Sequence, residues 1–126
     1  ILSFRNLNNN FSFFSNFSKS RDTNGQAQLR RPDLTYGSNY TKNFLNTFFG
    51  PLDINLNYKY TGKHIDTNNG RIKMKSTDII NMSISRDFLR SNFSVNISNL
   101  LNERYERPAT YSEEGRQVRF GYKTTY

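Results

Sequence analysis

The chain has no cysteine, which removes any disulfide framework and any thiolate metal centre. Its single histidine, His64, stands beside Asp66 without the His or Cys partners that a zinc site needs. No apolar run approaches the roughly 18 residues of a membrane-crossing helix, which leaves open a β-barrel, whose strands turn only every second residue to lipid. Gly-rich phosphate loops and Ser-His-Asp arrangements are also missing, so no catalytic centre is expected and no cofactor is called for. Aliphatic residues are too thinly spread for the soluble core of a single 126-residue domain. Residues 1–5 show neither the basic start nor the apolar block of a signal peptide.

What the chain does have is alternation. In residues 116–126, Val118, Phe120, Tyr122, Thr124 and Tyr126 fall on one face and Gln117, Arg119, Gly121, Lys123 and Thr125 on the other. Period two over eleven residues predicts a strand with one aromatic and one charged face. A soluble sheet would bury that aromatic face under a second layer. A transmembrane barrel turns it to lipid and the other face to a wet lumen.

The same pattern recurs upstream. Residues 1–6 read as the end of a strand. Residues 11–21, 34–42, 52–61, 76–86 and 92–99 read as full strands. Phe14 breaks the alternation of Phe11, Phe13, Ser15 and Phe17. The connections predicted at 7–9, 43–51 and 87–91 are short, whereas those at 22–32, 62–75 and 100–115 are long. This short–long alternation suits an outer-membrane barrel, with short periplasmic turns and longer extracellular loops. Aromatics are expected near the inner rim at Phe11, Phe48, Phe88, Phe93 and Tyr126, and near the outer rim at Tyr36 and Tyr60.

The formal charge of +8 admits nucleic acid, anionic lipid or lipopolysaccharide phosphates as neighbours, or Lys and Arg that merely solvate loops and lumen; their scattered placement favours the last. Glu103, Glu106, Glu113 and Glu114 crowd the last long loop, where solvation explains them better than acid–base chemistry. The Asn-x-Ser/Thr sequences fall mostly inside predicted strands and are discounted as glycosylation sites. Two function classes follow. One is an all-β, antiparallel transmembrane barrel segment of about six strands and an N-terminal stub; the alternative is a soluble basic all-β module binding nucleic acid or glycan.

The ending Arg119, Gly121, Thr124, Tyr126 resembles the assembly signal of bacterial outer-membrane barrels, with Thr124 in place of the usual bulky residue. The run Asn99-Leu100-Leu101-Asn102-Glu103-Arg104-Tyr105-Glu106, followed by Gly115-Arg116 and the terminal strand, resembles the C-terminus of TonB-dependent outer-membrane receptors. Arg31-Pro32, Gly50-Pro51-Leu52 and Thr61-Gly62-Lys63 are also similar to that family, and the pattern looks closest to its vitamin B12 receptor branch. The resemblance implies that residues 1–126 are the C-terminal part of a receptor barrel in the outer membrane of a Gram-negative bacterium. It further implies a plug domain and earlier strands outside this sequence, import of cobalamin or a ferric siderophore rather than catalysis, and no nucleic acid. Implied partners are lipid, lipopolysaccharide, the barrel assembly machinery, the nutrient ligand, and the TonB complex acting through the plug. Ligand contacts are expected in the outer loops, at Arg30, Arg31, Asp66, Asn68, Arg71, Arg104, Tyr105 and Arg116, and assembly contacts at Arg119, Gly121 and Tyr126.

Overall fold

A computed structural model describes residues 1–45, 47, 50–67 and 71–124. The described chain is all-β. Its strands are β1 (Leu2–Arg5), β2 (Asn9–Phe17), β3 (Leu34–Phe44), β4 (Leu52–Thr61), β5 (His64–Thr67), β6 (Arg71–Met74), β7 (Thr77–Phe88), β8 (Ser91–Ser98) and β9 (Gln117–Thr124). Seven of them form one sheet in the order β1-β2-β3-β4-β7-β8-β9, with β5 and β6 as a separate two-stranded hairpin. Every ladder is antiparallel. The sheet is an up-and-down meander, so short connections gather at one end and long ones at the other. It is open, because β1 and β9 lie at its two edges.

Register fixes the two faces, since residues opposite one another in an antiparallel pair share a face. One row runs Phe4, Phe11, Tyr40, Leu56, Met82, Ile97, Val118 across all seven strands. A row two places nearer the short turns runs Phe44, Leu52, Arg86, Phe93, Tyr122. On the opposite face, Arg5, Asn10, Thr41, Asn55, Ser83, Asn96 and Arg119 stand in register. Neither face has a core against it: among the described residues Ala109 is the only buried apolar side chain, and it lies in a loop. Phe120, at 82% exposed, and Tyr122, at 65%, stand open.

The apolar face carries tilted and stacked rings. Tyr36 stacks on Tyr60 at 4.6 Å near the long-loop end, and Phe93 meets Tyr122 at 5.1 Å near the short-turn end. Phe88 also lies at the short-turn end. Phe11, expected at that rim, instead shares the middle row with Leu56 and Met82, because β2 begins at Asn9 and pairs Phe11 with Tyr40. Phe48 and Tyr126 fall outside the described residues.

The polar face is knitted by carboxamides. Asn39 donates to Ser12 Oγ at 3.4 Å, Asn57 to Asn39 Oδ1, and Asn81 to Asn57 Oδ1 at 3.4 Å. The backbone N–H of Asn99 then donates to Asn81 Oδ1 at 3.0 Å. Phe14, the residue that broke the alternation, lies on this polar face with its ring against Gly37. A Cβ at Gly37 would stand 2.4 Å from the Tyr58 carbonyl oxygen and 2.8 Å from the Phe14 ring. Glycine there lets an aromatic ring approach the backbone closely.

Strand bounds differ from expectation chiefly in β2. It ends at Phe17 rather than near Arg21, because Ser18 turns to donate to Asp33 O and Arg21 bridges Ala27 inside the loop. The hairpin β5–β6 lies within what the sequence predicted to be a plain loop.

Candidate functional site

The long connections at 18–33, 62–76 and 99–116 meet at one end of the sheet, and Asp66 joins them. This residue sits on β5 at 2% exposure. Its Oδ1 accepts from Arg30 Nε at 2.7 Å and from the Thr67 backbone N–H at 2.8 Å. Its Oδ2 accepts from the Ala109 backbone N–H at 2.8 Å. Arg30 belongs to the first loop and Ala109 to the third, so one carboxylate clamps all three. Further contacts reinforce the first junction: the Arg30 backbone N–H donates to Ile65 O at 2.6 Å, Leu29 bridges Ile65 in parallel, and the Arg71 guanidinium donates to Ala27 O.

The Arg30 guanidinium, followed by the Ala109 and Thr67 N–H groups, holds the Asp66 carboxyl well below the usual carboxylate range, at about 2. Both oxygens are engaged by donors, and the group is ionised at neutral pH. It is a fastening and is unsuited to general-base work. The Arg30 side chain is 61% exposed, so the pair presents a guanidinium outward while its carboxylate is hidden.

The third loop has a defined neck. Asn99 and Asn102 take positive φ, 52° and 57°, which asparagine tolerates better than most residues. Asn99, buried, donates through Nδ2 to Glu103 O and accepts from Glu103 N–H at Oδ1, each at 2.8 Å. Asn102 Oδ1 accepts from Arg116 N–H at 2.9 Å, and a Cβ at Gly115 would stand 2.6 Å from that oxygen. Beyond the neck, Glu106 bridges Ser112, Glu106 Oε2 accepts from Thr110 N–H at 2.7 Å, and the Arg107–Pro108 peptide is cis.

The expected contact residues divide. Arg30 and Asp66 are brought into direct contact, and Arg71 packs against the same first loop. Arg31, Arg104 and Arg116 are exposed, and Arg116 is tied in by its backbone N–H. Tyr105 is half-buried, and burial, then the nearby Glu113 charge, pushes its phenol pKa up. Asn68 lies outside the described residues. Of the expected assembly residues, Arg119 is opposite Asn96 on the polar face and donates to Gln117 Oε1 at 2.8 Å. Gly121 is opposite Ser94, and Tyr126 is again outside the described residues. His64 Nδ1 lies 3.2 Å from Gly62 O, and among the described residues no group of His, Cys, Asp or Glu is placed to hold a metal.

Asn99, Asn102 and Ala109 were not expected as part of the site. The asparagines stood in the Asn-Leu-Leu-Asn run that carries the resemblance; Ala109 gave no signal, because it joins the clamp through its backbone N–H. Comparison of the chain with known protein families and with characterised proteins yields no match in either.

Proposed function

We propose that this sheet is part of the outer-membrane β-barrel of a TonB-dependent receptor. Its apolar face meets lipid, its carboxamide face lines a hydrated lumen, and its clamped loops form part of the outer vestibule that admits a scarce nutrient such as cobalamin or a ferric siderophore. The observation that carries this reading is the pairing of a continuous aromatic and aliphatic face with a hydrogen-bonded amide face in one open layer. In water such a layer leaves its apolar face unburied; in a membrane that face is satisfied, and the backbone requires only that the β1 and β9 edges find strand partners. Long loops at one end and short turns at the other agree with an outward vestibule and a periplasmic rim. The chain then has a transport role. Its energy supply would act through a plug that this sequence does not contain, and its insertion would depend on the barrel assembly machinery.

Cysteine labelling on intact cells tests the reading. Asn24→Cys and Ser112→Cys, in long loops, are expected to react with an impermeant thiol reagent. Leu7→Cys and Arg90→Cys, in short turns, are expected to react only after the outer membrane is permeabilised. Uniform labelling of a protein recovered in a soluble fraction would instead support the soluble basic module.

A further inference from the structure

On the apolar face of the sheet, charge is confined to a few places, and these differ between the two ends. At the long-loop end Asp78 accepts from Tyr58 OH at 2.7 Å, and Lys19 lies over the Phe17 ring at 5.9 Å just past β2. At the short-turn end stand Lys42 on β3 and Arg86 on β7, and among the described strand residues no acidic one shares their face there. Asp53 and Asp87, their nearest carboxylates in register, pair with Asn43 and Asn92 on the polar side. Register places Lys42 in the row with Ile54 and Ile84, and Arg86 in the row with Phe44, Leu52 and Phe93. The two cations therefore flank Leu52 and Ile54 diagonally across β4. Strand spacing and rise put their backbones about 12 Å apart, so both long side chains reach a group held between them.

Each cation is followed two residues later by an aromatic ring that it covers: Lys42 Nζ lies 5.2 Å from the Phe44 centroid, and Arg86 Cζ lies 5.7 Å from that of Phe88. A cation over an aromatic on an apolar surface keeps its stem in hydrocarbon and its charge at the polar boundary. The repeat of this cation-x-aromatic unit on β3 and β7, with apolar side chains between, combines positive charge with a surface for acyl chains.

We propose that Lys42 and Arg86 form a site for the phosphate headgroup of an anionic phospholipid, such as phosphatidylglycerol, in the leaflet at the short-turn end. This rests on the membrane reading above and adds a ligand class and two residues to it. A basic residue near an anionic surface contributes on the order of a fivefold preference, so the pair gives up to about thirtyfold.

The test is native mass spectrometry of the intact protein, released from vesicles of equimolar phosphatidylglycerol and phosphatidylethanolamine, with vesicle flotation as a parallel measure of insertion. The wild-type protein is expected to float and to retain phosphatidylglycerol preferentially. Lys42→Gln/Arg86→Gln is expected to float but lose the preference, whereas Lys59→Gln, on the polar face, keeps it. A floating wild-type protein with equal retention of both lipids overturns the site and leaves the membrane reading standing. A wild-type protein that does not float overturns both. Displacement of phosphatidylglycerol by millimolar inorganic phosphate would show a free-phosphate site and also overturn the proposal. Because wild-type retention decides the matter alone, a double variant that fails to fold does not protect it.

Discussion

Arg30 Nε and Asp66 Oδ1 lie 2.7 Å apart across 36 residues of sequence, and the carboxylate's other oxygen is held by the Ala109 N–H, 43 residues further along. The three loops are fastened through one side chain whose own strand, β5, belongs to a four-residue hairpin arm. Asp66→Asn should therefore loosen the loops without disturbing the seven-stranded sheet. The amide nitrogen of the new side chain would face an N–H donor wherever it pointed. Hydrogen exchange at Ala109 is expected to speed up on the order of tenfold or more, with exchange in β3 and β4 unchanged. Equal acceleration in the sheet would show that Asp66 supports the whole fold and is no local clamp.

The same contact sets a pH dependence. The folded Asp66 pKa, about 2, lies below its ordinary value of 3.8, with Arg30 the largest cause. A depressed carboxylate stabilises the folded loops fully above the ordinary value and loses that contribution as pH falls through the folded one. The clamp should hold from neutral pH to about 4 and weaken between about 4 and 2. Carbon NMR of the Asp66 carboxyl is expected to titrate near 2 in the wild type and at higher pH in Arg30→Gln. An unchanged midpoint in that variant would remove Arg30 as the main cause.

Face assignment is tested at Ile97, between Met82 and Val118 on the apolar face. Ile97→Arg should cost about 2–4 kcal/mol in a membrane-folding titration if this row meets lipid near the midplane. Ser98→Arg, opposite Gln117 on the polar side, should be close to neutral. Asn96 is a poorer control, because an arginine there would face Arg119 directly. Similar costs at Ile97 and Ser98 would reverse or abolish the faces.

Gly37→Ala is expected to destabilise the sheet by about 1–3 kcal/mol, since the added carbon meets a backbone oxygen that cannot rotate away. Adding Phe14→Leu should restore little, although it relieves the ring contact. Full recovery in the double variant, measured by denaturant titration, would show that the ring and not the strand backbone sets the constraint.

How far the sequence revealed this architecture varies by element. The limits expected for β4, Leu52 and Thr61, agree with the structure because alternation there is unbroken and Gly50-Pro51 marks its start. In β2 the faces agree with the alternation, Phe14 standing on the face opposite to Phe11, Phe13 and Phe17. Its far end was misjudged, since the turn of Ser18 toward Asp33 O leaves no mark in a local pattern. The β5–β6 hairpin had a legible signal, Asn69-Gly70 between two alternating tetrads, although 62–75 was expected only as a long connection. The Asp66 clamp was half visible: Arg30 and Asp66 were named as outer-loop residues, but their contact and the Ala109 N–H depend on a register that local pattern does not contain. The Asn102 and Gly115-Arg116 motifs, separate in sequence, meet at the neck of one loop.

The carboxamide row on the polar face has a direction, and a single backbone group sets it. The Asn99 N–H is a fixed donor, so Asn81 must turn its oxygen toward it and its nitrogen toward Asn57. Asn57 is then obliged to donate to Asn39, and Asn39 to Ser12. None of these side chains can flip alone without setting donor against donor or oxygen against oxygen. The orientation of three neighbouring strands' amide groups is thus inherited from one peptide bond at the neck of the third long loop. Aligned amide dipoles of this kind reinforce one another, so the wall they form has a positive flank at β2 and a negative flank toward β7. A polar molecule passing along that wall would meet a surface with a built-in sense of left and right, although scarcely any charged residue lies in the row.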